Sequence, residues 1–365
     1  MAGGTWEPTG QLPVRPGLYT RFLDAAIQQI KPGPRGIVAM PILTDKQEPD
    51  QVITITSVGE AEALFGAENI RAIRLAFLGG AKKILLFTIE KEPKDNKGVN
   101  RMCAQFEKRV FNVYVHDSNL YRAHSNPDYG IKNWITSNRE VLGNHFIGIF
   151  GTEDTPSQTA NKQPNVGAKL AVDFKDDYIV QLSNGAEWNG ETLDSIDFAP
   201  YIAGVIAGTP LNKSITYHSV PVDTVDEHYT DAQIKEKLKQ GLLILREDRY
   251  NKVLIEKGIV TTGEKIRSIR VRQAIPFDIR VIAEDAYIGK VNNDSDGRAA
   301  VIAAISSYLE KLENYQVLTD YEVTLDPNYH SRTGEYEPDE ADTLYLRISY
   351  REIDAIERVF ITVTV

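Results

Sequence analysis

The chain has 365 residues, 42% hydrophobic and 25% charged, with 41 Lys and Arg against 51 Asp and Glu for a formal net charge of −10. That length accommodates about two to three domains and a core that needs no crosslinks, and the apolar content is too high for a disordered chain. The acidic excess argues against a nucleic-acid surface, the single cysteine excludes an internal disulfide and a cysteine-based zinc site, and the longest apolar stretch, residues 198–211, is too short and too proline-broken to span a membrane.

In chain order, residues 1–20 read as an arm. Pro8, Pro13 and Pro16 with Gly3, Gly4, Gly10 and Gly17 leave no periodic apolar face, so an extended segment is expected. Its apolar residues Trp6, Leu12, Val14, Leu18 and Tyr19 suit it to pack on something. The opening residues combine no basic region with an apolar one, so no secretory signal is expected, and the lone thiol fits a reducing cytoplasm.

Residues 36–41 and 83–89 are short, nearly continuous apolar runs of the kind found in strands covered on both faces. Residues 51–56 alternate as a strand does. Ser57, with Glu60 three residues on, predicts a capping box for a helix through Leu64, and 69–78 is helical by spacing. A polar linker over 90–100, a helix over 100–108 and a strand over 111–115 follow. The middle repeats this logic, with a helix over 131–141, a strand over 145–150 and a polar excursion over 153–177. Residues 199–207 form a small-residue helix whose Gly204 and Gly208 mark close backbone packing. Residues 230–240 form an amphipathic helix closed by Gly241, and 242–245 with 252–256 read as a hairpin. Strands alternating with helices predict an α/β fold with a mainly parallel sheet covered by helices.

The last third changes character. Residues 265–282 mix strand and helix signals. Residues 297–312 form a helix with Val301, Ile305, Tyr308, Leu309 and Leu312 on one face, and 344–350 and 358–365 alternate strictly. These predict a C-terminal α+β domain and a strand-like terminal arm. The expected division is therefore an N-terminal arm (1–20), an α/β domain (21–262), an α+β domain (263–350) and a C-terminal arm (351–365).

Few residues invite chemistry. The chain has no phosphate-binding loop, dinucleotide fingerprint, zinc-protease helix motif or serine-nucleophile elbow. None of the six histidines, His116, His124, His145, His218, His228 and His330, sits four residues from another. Cys103 falls mid-helix on an apolar stripe and reads as a core thiol. Asn292-Asn293-Asp294-Ser295-Asp296-Gly297 imitates a calcium loop, but its twelfth position is Ala303 where a bidentate Glu belongs, and a helix cap explains it better. The pairs Glu153/Asp154, Asp176/Asp177 and Glu284/Asp285 read as solvated surface. No catalytic, cofactor or metal residue is assigned, and no enzyme is expected.

Two features point elsewhere. Residues 1–115 hold 15 basic against 12 acidic side chains, while the remainder holds 26 against 39. This is either an ordinary solvated surface or a subunit polarised to meet neighbours of opposite sign. The closing run Arg358-Val359-Phe360-Ile361-Thr362-Val363-Thr364-Val365 puts Val359, Ile361, Val363 and Val365 on one face. Left open, such an edge aggregates; it must be covered within the fold or added to a neighbour's sheet.

At these residues the sequence resembles contractile tail sheath proteins of phages and phage-tail-like bacteriocins. The resemblance rests on Gly3-Gly4-Thr5-Trp6, Arg15-Pro16-Gly17-Leu18-Tyr19, Gly33-Pro34-Arg35-Gly36-Ile37-Val38-Ala39-Met40-Pro41, Tyr201 through Ser214, Tyr287 through Arg298, and Ile353 through Val365. Where many relatives carry an outer β-rich insert, only the 90–100 linker stands, so this looks like a compact subunit. The resemblance implies a homo-oligomer of hexameric rings stacked helically around an inner tail tube protein, with baseplate and tail terminator proteins as further partners. It implies no nucleic acid and no membrane insertion. It further implies arms that exchange strands between neighbours and contraction driven by energy stored in the extended assembly, without a nucleotide. Such a protein is made in the host cytoplasm and forms part of a phage tail or tail-like particle. In this family the C-terminal domain sits innermost, which nominates Arg298 and Lys311, on the polar face of the 297–312 helix, as tube contacts. The alternative reading is a subunit of another, non-contractile homopolymeric assembly.

Overall fold

The computed structural model describes residues 33–92, 97–116, 127–151, 173–329 and 342–364, with backbone alone at 2–4, 17–19 and 127–129. The chain divides into two compact units. Of the described residues, the larger holds those within 33–281, 312–319 and 351–364, and the smaller those within 2–4, 17–19, 282–311 and 320–350.

At the N-terminus, strands β1 (Ala2–Gly4) and β2 (Gly17–Tyr19) pair in parallel. The larger unit is built on a seven-stranded sheet. Its strands are β3 (Ile37–Thr44), β4 (Val52–Ile55), β5 (Lys83–Glu90), β6 (Val113–Val115), β7 (Ile147–Phe150), β8 (Ile179–Leu182) and β13 (Leu242–Leu243), in the order β13-β8-β7-β6-β3-β5-β4. Every pairing is parallel except β4 with β5. Alternate residues of the central strands enter two cores, which explains their unbroken apolar runs. Val38, Met40, Ile84 and Leu86 face helices α1 (Val58–Phe65), α2 (Arg71–Leu78) and α5 (Ser195–Gly208). Ile37, Ala39, Leu85 and Phe87 face α3 (Lys97–Phe106) and α4 (Pro127–Ser137).

The helix ends follow local chemistry. Ser57 caps α1 by accepting from Glu60 N at 3.3 Å. The Glu60 carboxylate returns to Thr56 N rather than to Ser57 N, so only half of the expected box forms. Thr230 and Gln233 complete the full reciprocal box on α6 (Asp231–Lys239). Beyond it Gly241 takes φ +82, a left-handed conformation that favours glycine. The expected small-residue crossing is present. A Cβ on Gly204 would lie 2.0 Å from the Ala76 carbonyl oxygen, so α5 and α2 meet backbone to backbone.

Two small antiparallel sheets complete this unit. One orders β10 (Glu191–Leu193), β9 (Ala186–Trp188) and β12 (Thr224–Val225); the other orders β11 (Ser219–Val220), β15 (Val253–Ile255) and β14 (Leu245–Glu247). The hairpin expected over 242–245 and 252–256 is therefore narrower. Leu242 and Leu243 pair with β8 in the main sheet, and β14 begins only at Leu245. The ambiguous stretch 265–282 is helix α7 (Ile266–Ile282), which buries Ile266, Ile269, Val271, Ala274 and Ile275 in the larger unit. Tertiary burial outweighs both its β-branched content and Pro276.

Helix α8 (Ser295–Asn314), which begins in the smaller unit, is capped by Asp294, whose Oδ1 accepts from Gly297 N at 2.8 Å. The cap accounts for the calcium-like string. Strands β16 (Leu318–Leu325) and β17 (Leu346–Glu352) form a two-stranded sheet, each with one neighbour among the described residues. Beyond β17 the chain departs from expectation. Residues 353–364 have no strand pairing, although their sequence alternates as a strand does. Among the described residues they meet no partner edge, and a strand is defined by its partner.

Candidate functional site

The groups most suited to chemistry are spent on structure. Burial, reinforced by Glu107, pushes the Cys103 thiol up to about 12, so it is no nucleophile at neutral pH. His116 lies buried against Tyr114, with Nδ1 3.1 Å from its hydroxyl. Asp176 is held by Arg139 at 2.7 Å, and Asp177 accepts from Thr262 at 2.6 Å. Among the described residues no group of three or more His, Cys, Asp or Glu is arranged to hold a metal ion. His124, His330, Glu153 and Asp154 lie outside the described residues.

What stands out physically is the C-terminal segment. Its root is fastened to the larger unit at successive residues. Arg272 Nε donates to Glu352 at 2.8 Å, and Ile353 N to the Val317 carbonyl at 3.1 Å. Lys265 Nζ reaches Asp354 at 2.5 Å and Glu357 at 3.1 Å, and Thr216 Oγ1 donates to Glu357 at 2.9 Å. Partial burial disfavours the charged form of Lys265, but its two carboxylates outweigh that and hold its pKa above the ordinary value. Burial likewise pushes Asp354 up, but hydrogen bonds from Lys265 and Ala355 N dominate and the net shift is down.

From Ile356 onward the segment carries large apolar side chains that the fastening does not cover. Ile356 is 87% and Phe360 92% exposed, and Val359, Ile361 and Val363 are exposed with them. Five large apolar side chains on one short segment form a contiguous feature that water opposes, the usual mark of an interaction surface. The alternation nominated Val359, Ile361 and Val363 and passed over Ile356 and Phe360, which lie off that stripe. Nothing in the sequence signalled the fasteners. Lys265 and Asp354 are 89 positions apart, and only the fold joins them. Of the other nominated arm residues, Trp6, Leu12, Val14 and Val365 lie outside the described residues, and Tyr19 is described in its β2 backbone alone.

The nominated tube contacts sit on α8. Ile305, Tyr308, Leu309 and Leu312 are buried and Val301 is half-buried, as the stripe requires. Glu310 is exposed, while Arg298 and Lys311 are half-buried. Arg298 Nη1 donates back to the Asn293 carbonyl at 3.2 Å, and Asn293 in turn donates to the Thr343 carbonyl at 2.8 Å. The turn before α8 is thus tied internally, with Ile288 and Val291 exposed beside it.

Comparison with known proteins gives a consistent result. The phage tail sheath protein central domain matches residues 104–261, and the phage tail sheath C-terminal domain matches residues 262–365. The tail sheath protein of Clostridium phage phiCD119 is 25% identical over 378 residues, covering 94% of this chain and 97% of that protein. Among solved structures, the helical sheath of the anti-feeding prophage in its contracted state has a TM-score of 0.73 at 14% identity, covering 96% of this chain and 98% of that one. A sheath tail protein from Desulfitobacterium hafniense has a TM-score of 0.68 at 17% identity, covering 92% and 100%. At those identities the two structures are alike in fold.

Proposed function

The chain belongs to the phage tail sheath family and is a structural subunit of a contractile sheath, not an enzyme; we propose that it polymerises through its termini into hexameric rings stacked around an inner tube. The observation that carries this is the C-terminal segment, rooted at residues 352–357 and, over 358–364, without a strand partner among the described residues, with its apolar side chains in water. A segment with strand alternation and no partner among the described residues of its own chain is suited to complete a sheet in another. The two-stranded β16–β17 sheet, with an open edge on each strand among the described residues, offers a place for such an addition.

In this reading residues 1–20 and 351–365 act as the arms, 21–262 as the outer and middle domain, and 263–350 as the inner domain. The inner tube, the baseplate and a tail terminator are the other partners. The face of α8 carrying Arg298 and Lys311 touches the tube in the extended state. Exposed polar contacts are worth about 0–1 kcal/mol each, which suits a surface that must release its tube. The subunit is made in the host cytoplasm and acts in the assembled particle. Contraction draws on the free-energy difference between two packings of the same subunits and needs no nucleotide.

Negative-stain imaging of the purified protein, alone and with its tube protein, tests the reading. Striated cylinders or hexameric rings are expected, with contraction under mild denaturant in nucleotide-free buffer. A small monodisperse particle under all conditions, or a strict nucleotide requirement, would refute it.

A further inference from the structure

Helix α7 buries polar side chains along the face it presents to the larger unit. Arg267, Arg270, Gln273 and Asp278 are each more than nine-tenths enclosed. Asp278 is fully answered: it accepts from Gly33 N and from Arg35 Nη2, each at 2.8 Å. Arg270 is not. Its Nη2 donates to the Thr209 carbonyl at 2.5 Å, and no carboxylate pairs with it among the described residues. Burial and the nearby Arg35 pull its pKa down to about 10, so it keeps its charge at neutral pH. An enclosed charge without a counter-charge is strongly unfavourable, and proteins answer it with a partner or an ion.

The surroundings of Arg270 supply room and donors for such an ion. Arg35, Asn112, His145, Arg270, Gln273 and Phe277 line a narrow crevice of about 30 Å³. Two lining residues carry buried donors that bond to nothing described, Arg35 Nε and Gln273 Nε2. Burial, helped by Arg139 and Arg280, lowers the His145 pKa, so that ring is uncharged near pH 7. With Arg35 paired to Asp278, the lining carries the one uncompensated positive charge of Arg270. A water needs at least about 10–15 Å³ of such space, so the crevice takes an occupant the size of one or two waters. A water would satisfy the donors but leave the charge standing.

We propose that this crevice is a binding site for a compact monovalent anion of about the size of chloride, held by Arg270, Arg35 Nε and Gln273 Nε2. The anion serves as the counter-charge of Arg270 and fastens α7 to the Thr209 and Arg35 segments of the larger unit.

Thermal unfolding of the full-length subunit, titrated with sodium chloride against sodium gluconate at constant ionic strength, tests this. Gluconate is too bulky for the crevice. Chloride should raise Tm saturably, by about 2–4 °C at roughly tenfold excess over its dissociation constant. Arg270→Met should abolish the chloride-specific rise while unfolding in gluconate at or above the wild-type Tm. Gln273→Leu keeps the charge and removes one donor, so it should weaken chloride binding several-fold; it also serves if Arg270→Met does not fold. A crystal soaked in sodium bromide should show an anomalous peak within hydrogen-bond distance of Arg270. Equal Tm values in the two salts, an undiminished chloride effect in the variants, or a crevice without bromide would overturn the proposal.

Discussion

The seven-stranded sheet and the C-terminal segment are both rich in apolar, β-branched residues, yet they end in opposite conditions. Val38, Ile84, Val113 and Ile149 lie at most 1% exposed between two layers of helices. Val359, Ile361 and Val363 carry the same chemistry into water. The sheet satisfies itself because its central strands are parallel, interior and covered by helices supplied by the same chain. The terminal segment has the composition of such a strand without the neighbours. Apolar patterning alone therefore does not say whether a strand is complete; the supply of partners within the chain decides that. In the proposed reading the partner of the terminal segment is another subunit, and assembly draws on that incompleteness.

The comparison breaks most decisively by removing the segment. Deleting residues 358–365 should abolish cylinders altogether while the subunit keeps its Tm and far-UV circular dichroism, because the described residues among them, 358–364, belong to neither core. Cylinders of normal length from the truncated protein would show that the strand is not needed between chains. The converse change strikes the self-sufficient region. Gly204→Val places atoms against the Ala76 carbonyl, which cannot yield without moving α2. Overpacking of this kind costs about 1–3 kcal/mol, read as a fall in Tm of several degrees, and an unaffected Tm would mean that the crossing is looser than the geometry requires.

A smaller effect is expected at the root. Asp354 has a depressed pKa, so its contribution is present above its unfolded pKa of about 4 and is lost as pH falls through the folded one. Lys265 has a raised pKa, so its contribution is present below about 10.4 and is lost as pH rises through the folded one. Protection of the Ile353 and Ala355 amides in hydrogen exchange should therefore hold between these limits and fall on the acid side. Lys265→Ala should weaken protection within the window by less than about tenfold, since these pairs are partly exposed. No change in exchange would mean that the backbone bond to Val317 fixes the root unaided. The smallest expected effect is at α8. Reversing charge at Arg298 and Lys311 together should reduce assembly on tubes a few-fold and leave tube-free polymerisation largely unchanged, and equal effects on both would remove this face from the tube contact.

Much of the architecture is legible residue by residue. The runs at 83–89 and 36–41 announce strands covered on both faces, the amphipathic pattern of 230–240 closed by Gly241 announces α6, and the 301–312 stripe announces the buried face of α8. Each is a short-range signal, because periodicity and capping act within a few residues. Residues 265–282 resisted reading because their local preferences conflict. Burial against the rest of the larger unit makes them a helix, and that term is absent from any local window. Leu242 and Leu243 were misjudged for a related reason, since two residues carry no period and only β8 recruits them to the main sheet.

The sequence by itself determined the α/β class, the absence of nucleotide and metal motifs, and the alternating apolar pattern of residues 358–365, because these depend on residue type and close spacing. Only the tertiary structure decided that Lys265 and Thr216 grip the terminal segment at Asp354 and Glu357, that Asp278 answers Arg35 while Arg270 finds no carboxylate among the described residues, and that Gly204 rests on the Ala76 carbonyl. Those are contacts between positions tens to hundreds of residues apart, and the free energy that selects them arises only when the whole core closes.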